Sequence, residues 1–100
     1  MYKKDSPALH RLYQAVLSLE NEEECAAFFQ DICTIQELEA LSQRFEVACQ
    51  LEEGKSYNDV NRITGASTAT ICRVSRCLNY GDGGYKVAIN RIKEQGEIGF

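Results

Sequence analysis

The sequence predicts an all-α fold of about six short helices, and three observations carry that expectation. Apolar residues recur at helical three- and four-residue intervals along most of the chain, and a Ser, Thr or Asn stands ahead of most such segments as a cap. No alternating run is long enough for a strand. With 100 residues, 44% apolar, 26% charged and one proline, a single globular domain is expected. A chain of this size buries only about two-thirds of its surface, so self-association across a subunit interface is expected too.

Each element follows from its own signals. Ser6 and Pro7 open the first helix, a hydroxyl cap followed by a residue whose missing N–H costs nothing there, and Leu9, Leu12, Tyr13, Val16 and Leu17 repeat at helical spacing to about Leu19. Asn21 with Glu24 forms a capping-box pattern for a second helix bearing Cys25, Ala26, Phe28, Phe29 and Ile32. Thr34 with Glu37 repeats the device, and Leu38, Leu41, Phe45, Ala48 and Leu51 trace the stripe of a long third helix ending at Gly54. Ser56 caps a short fourth helix with Tyr57, Val60 and Ile63 or Thr64 on one side, stopped by Gly65. Ser67 caps a fifth, with Ile71, Val74 and Leu78 facing inward. The run NYGDGG breaks it, Tyr85, Val87, Ala88, Ile89 and Ile92 support a last helix over 85–94, and the closing GEIGF is expected to fray.

Charge is segregated along the chain. The net charge is −4, yet residues 1–53 hold 4 basic and 11 acidic side chains, while residues 54–93 hold 7 basic and 2 acidic. An acidic scaffold carrying a basic part that meets a polyanion has this pattern. The scaffold is placed in 1–53 and the polyanion-binding part in 56–78.

Several chemistries find no support. Five cysteines at irregular spacing, with no CxxC pair and only His10 as an imidazole, build neither a zinc site nor a redox dithiol, and are expected as buried thiols in a reducing compartment. His10 has no nucleophile placed beside it, Glu22 to Glu24 are explained by helix capping, and GDGG is a turn rather than a phosphate loop. No enzyme activity and no cofactor are expected. MYKKDSPALH lacks the apolar stretch of a secretory signal and no run of about 18 apolar residues occurs, so a soluble cytoplasmic protein away from membranes is expected.

The informative run is YNDVNRITGASTATICRVSR, residues 57–76, two short helices meeting at Gly65 and Ala66 in the layout of a helix-turn-helix. Gly65 permits a left-handed backbone, and Ala66 is small where the helices meet. Asn61 departs from the small residue such motifs often carry there. Opposite the inward stripe of the second helix lies a small, basic face. Ser67, Thr68, Ala69, Thr70 and Cys72 could approach base edges or phosphates, and Arg73 and Arg76 could supply charge or bidentate contact to guanine. Arg62, Lys55 and Lys86 are candidate phosphate contacts that orient the module.

TGASTATICRVSRCL (64–78), together with TIQELEALSQRFEVACQLEEGKSY (34–57), resembles the tryptophan repressor-related YerC/YecD family of the tryptophan repressor superfamily, over about residues 3–95. The resemblance implies an intertwined helical homodimer and a transcriptional regulator, a repressor, reading a two-fold operator. It also places Arg44 and Arg73 where the tryptophan repressor sandwiches its corepressor. Val74 stands in place of the glycine that leaves room for that ligand, and Cys72 in place of a threonine. A valine would fill the slot, so tryptophan is not expected as corepressor, and constitutive DNA binding or a different small ligand remain. The competing reading is a helical protein-interaction module whose helix-turn-helix is structural; a redox role for Cys72 is a third.

Overall fold

The computed structural model describes residues 6–96, and the described residues form six α-helices and no strand: α1 (Pro7–Ser18), α2 (Glu22–Ile32), α3 (Ile35–Glu52), α4 (Tyr57–Thr64), α5 (Thr68–Tyr80) and α6 (Gly84–Gln95). Of GEIGF, residues 96–100, which are expected to fray, Gly96 caps α6 and the rest lie outside the described residues. The chain divides into two compact units, Met1–Leu38 and Glu39–Phe100.

In the first unit the helices start where the caps placed them. Ser6 accepts the Leu9 amide at 3.1 Å with Pro7 at the first helical position, and Asn21 accepts the Glu24 amide at 2.9 Å. Glu24 reaches back to the Glu20 amide at 2.9 Å, one residue before the cap itself. Thr34 and Glu37 form the full reciprocal box, at 3.0 and 2.8 Å. What the caps do not supply is a core. No residue of α1 or α2 is buried, and Leu17 remains 84% exposed and Ile35 74% exposed.

The second unit holds the core. Val47, Ala48 and Cys49 of α3 pack with Val60 of α4, Ala66 of the turn, Ile71, Val74 and Leu78 of α5, and Ile89 of α6; Phe45, Leu51 and Tyr85 close its edges. Each fully buried Val or Ile contributes about 1.5–3 kcal/mol relative to exposure. α4 packs on α5, and α5 on α6. Gly81 is the C-cap of α5, a position that selects glycine because a Cβ there would overlap the Cys77 carbonyl.

Three expectations change here. Of the α3 stripe only Ala48 is buried, while four consecutive residues, Val47 to Gln50, are enclosed. Four residues span more than one turn, so this end of α3 is surrounded rather than one-sided, which a periodicity argument does not reveal. Ile63 is exposed and Thr64 half-buried, so Thr64 is the inward residue of that pair. Finally, only Cys49 is a buried thiol: Cys25 and Cys33 are half-buried, and Cys72 and Cys77 are exposed because they fall on the outer side of α5.

Candidate nucleic-acid interface

Residues 57–80 form the helix-turn-helix. Ser56 caps α4 by accepting the Asp59 amide at 3.2 Å. Gly65 ends the helix at φ 74°, and an added Cβ there would meet nothing within 4 Å, so backbone conformation rather than space selects glycine. Ala66 is wholly buried between the helices. Asn61, the departure from a small residue, donates its Nδ2 to the Ala66 carbonyl at 2.7 Å. The larger side chain is thus absorbed as a hydrogen bond across the turn.

Ser67 caps α5, accepting the Thr70 amide at 3.2 Å and contacting the Thr70 hydroxyl at 3.1 Å, while its carbonyl takes the Ile71 amide at 3.0 Å. Ile71 and Val74 are each 1% exposed and Leu78 8%. That stripe turns the opposite face outward: Ser67, Thr68, Ala69, Cys72, Arg73 and Arg76 are exposed and Thr70 is half-buried. The face therefore combines small side chains at the positive end of a helix with two arginines, a shape and charge suited to an anion such as nucleic-acid phosphate.

The flanking cations are held within the chain. Arg62 pairs with Asp59 at 3.1 Å, and this hydrogen bond, aided by Ser56, holds the Asp59 carboxyl below the usual carboxylate range. Lys55 donates to the Gln50 side chain at 3.0 Å, and Lys86 lies 4.0 Å from Glu52. The Arg62–Asp59 and Lys86–Glu52 pairs lie at the surface, where such pairs contribute little and a competing anion can replace them, whereas Gln50 is buried.

Of the residues matching the corepressor pocket, Arg44 is half-buried, Arg73 exposed and Val74 buried. Val74 sits in the core, 1% exposed, where close packing leaves little room for a ligand. A hollow of about 430 Å³ is lined by Phe45, Cys77, Tyr85, Ala88 and residues 81–84, and by none of Arg44, Arg73 and Val74. The Tyr85 ring stacks on Phe45 with centroids 6.4 Å apart. Burial pushes the Tyr85 phenol above its ordinary value, reinforced by Cys77 and opposed by the charges of Arg44 and Arg73. An aromatic ring of the chain itself thus lies within electrostatic reach of both arginines. Sequence reasoning missed Tyr85 in this place, as it did Gln43 and Thr64 at the turn; only the polar residues flanking Gly65 offered a signal.

Comparison with known proteins agrees with this architecture. The Trp repressor protein family model matches residues 7–93. The uncharacterized protein YerC of Bacillus subtilis (strain 168) is 54% identical over 86 residues, covering 86% of this chain and 83% of YerC. The crystal structure of a candidate Trp repressor from Staphylococcus aureus superimposes with a TM-score of 0.86 at 44% identity over 89% of each chain. That of a TrpR-like protein from Eubacterium eligens ATCC 27750 gives 0.85 at 47% identity over 96% of each. The resemblance read from residues 64–78 and 34–57 holds across nearly the whole chain: it belongs to the Trp repressor protein family, a family of helix-turn-helix DNA-binding regulators.

Proposed function

We propose that this protein is a homodimeric, sequence-specific DNA-binding transcriptional regulator acting as a repressor in the cytoplasm. The observation that carries this reading is the outer face of α5, small at its N-terminus and basic along its length, presented by a helix-turn-helix in a chain of the Trp repressor family. α5 enters the major groove. The Thr68 and Ala69 amides, not used by the Ser67 cap, face phosphate; Thr68, Ala69, Thr70 and Cys72 approach base edges, and Arg73 and Arg76 read guanine or neutralise phosphate. Arg62, Lys55 and Lys86 exchange their internal partners for phosphates and orient the module.

The dimer reading rests on the first unit, whose helices bury no residue and leave Tyr13, Val16, Leu17 and Ile32 exposed, as expected of residues 1–53 serving as a dimerisation scaffold for two intertwined copies. Operation without tryptophan rests on Val74, which is buried in the core where the tryptophan repressor has a glycine. No cofactor is required on this reading. The five thiols suit a reducing cytoplasm, and no helix among the described residues is long and apolar enough to cross a membrane.

The test is selection of genomic duplex fragments by the purified protein at near-physiological salt, beside the Arg73→Ala, Arg76→Ala double variant. Enrichment of a palindromic site by the unmodified protein alone is the expected result. Enrichment of nothing by either protein would overturn the DNA reading and favour the interaction module, with the acidic half as its contact.

A further inference from the structure

Glycine at position 65 allows the chain to reverse, but its freedom does not choose one direction for the helix that follows. Side chains from two helices supply that choice. Thr64 donates its hydroxyl to the Val60 carbonyl at 2.7 Å and with the same oxygen accepts the Ala66 amide at 3.1 Å. Asn61 donates to the Ala66 carbonyl at 2.7 Å, so both backbone polar groups of Ala66 are held by α4 side chains that precede Gly65. Gln43 of α3 donates to the Thr64 carbonyl at 3.4 Å, which ties the turn to the core helix. Ala66 itself is wholly buried, so its backbone has no water to turn to if these bonds are lost.

We infer that Gln43, Asn61 and Thr64 are positioning residues: a polar clamp that fixes the direction in which α5 leaves α4 and thereby sets how Thr68, Ala69, Arg73 and Arg76 are presented. The consequence for binding rests on the DNA reading above; the orientation of α5 does not. The clamp also explains why an asparagine stands where the turn would accept a small side chain. None of the three residues touches DNA in this account, so their loss lowers the fraction of protein in the binding geometry without removing a phosphate contact.

The experiment compares Thr64→Val, which keeps shape and removes both hydroxyl bonds, Asn61→Ala and the conservative Thr64→Ser with the unmodified full chain. Residual dipolar couplings of the α4 and α5 amides report helix orientation in the protein alone. Affinity is measured for a duplex selected from a random-sequence library by the unmodified protein. Expected are altered α5 couplings relative to α4 in Thr64→Val and Asn61→Ala, and an affinity loss of about tenfold with an unchanged slope against salt, because no counterion-releasing contact is lost. Thr64→Ser restores both. Couplings in both variants that superimpose on those of the unmodified protein would overturn the inference, whatever the affinity. If the unmodified protein selects no duplex, the DNA reading falls and the couplings alone decide the clamp. If Thr64→Val does not fold, Asn61→Ala, at an exposed position, carries the test.

Discussion

Helices α1 and α2 and helices α4 and α5 start by the same local means, a side-chain cap, yet only the second pair, together with α6, acquires a core. Ser6 and Asn21 cap as well as Ser56 and Ser67 do, at 2.9–3.2 Å. Past the caps the two regions diverge: α4, α5 and α6 each bury apolar residues, whereas α1 and α2 bury none. Capping decides where a helix begins, while burial against other helices supplies most of its stability. The second unit is therefore a finished module within one chain. The acidic first unit has helices that bury no residue and leave Tyr13, Val16, Leu17 and Ile32 exposed, the surface that the proposed dimer would cover.

The largest expected effect would break this contrast directly. Leu17→Glu with Ile35→Glu replaces two exposed apolar side chains by charges. In a monomer such surface changes cost within about 0.5 kcal/mol each. In the dimer they bury carboxylates in an apolar interface, and sedimentation velocity should show dimer affinity falling by a factor of about a thousand or more. A retained dimer would remove the first unit from the interface.

The finished module makes the opposite prediction. Arg73→Ala with Arg76→Ala changes exposed side chains, so circular dichroism and melting should match the unmodified protein while affinity for a selected duplex falls by about a hundredfold. Equal losses of affinity and of folded structure would mean that these arginines serve the fold.

How much of this contrast the residues announce varies with what each signal depends on. Caps and the inward stripe of α5 are local, and Ser6, Asn21, Thr34, Ser56, Ser67, Ile71, Val74 and Leu78 all take the expected roles. The enclosure of α3 over Val47 to Gln50 depends on which helices return to that end, and periodicity carries no such information. Asn61 reads as a misfit until its partner, the Ala66 carbonyl, is seen. The cysteines were misjudged because thiols are common both in cores and at helix surfaces. Residue type points to the candidate DNA face through Arg73 and Arg76, but the stacking of Tyr85 on Phe45 comes from tertiary packing alone.

Within the core, Cys49 sharpens the account at high pH. Burial, reinforced by Glu46, pushes its thiol from 9.0 up to about 11. The unfolded chain therefore loses this proton first, and stability falls as pH rises from about 9 to about 11, by on the order of 2 kcal/mol. Denaturant melts across that window should show the fall in the unmodified protein and a smaller one in Cys49→Ala. Identical pH profiles would place the thiol in contact with water.

The smallest expected effect concerns the turn. Gly65→Ala meets no steric obstacle, so only the left-handed conformation is penalised, at about 1–2 kcal/mol in melting experiments. A neutral substitution would mean that the turn adopts a different backbone.

The most direct test of the whole account is hydroxyl-radical footprinting of the unmodified protein on a duplex that it selects, because it asks the finished module and the dimerising scaffold for one joint result. Two equivalent protected half-sites related by two-fold symmetry, with centres about 34 Å apart, one helical turn, are predicted. A single unpaired protection, or none at near-physiological salt, would contradict it.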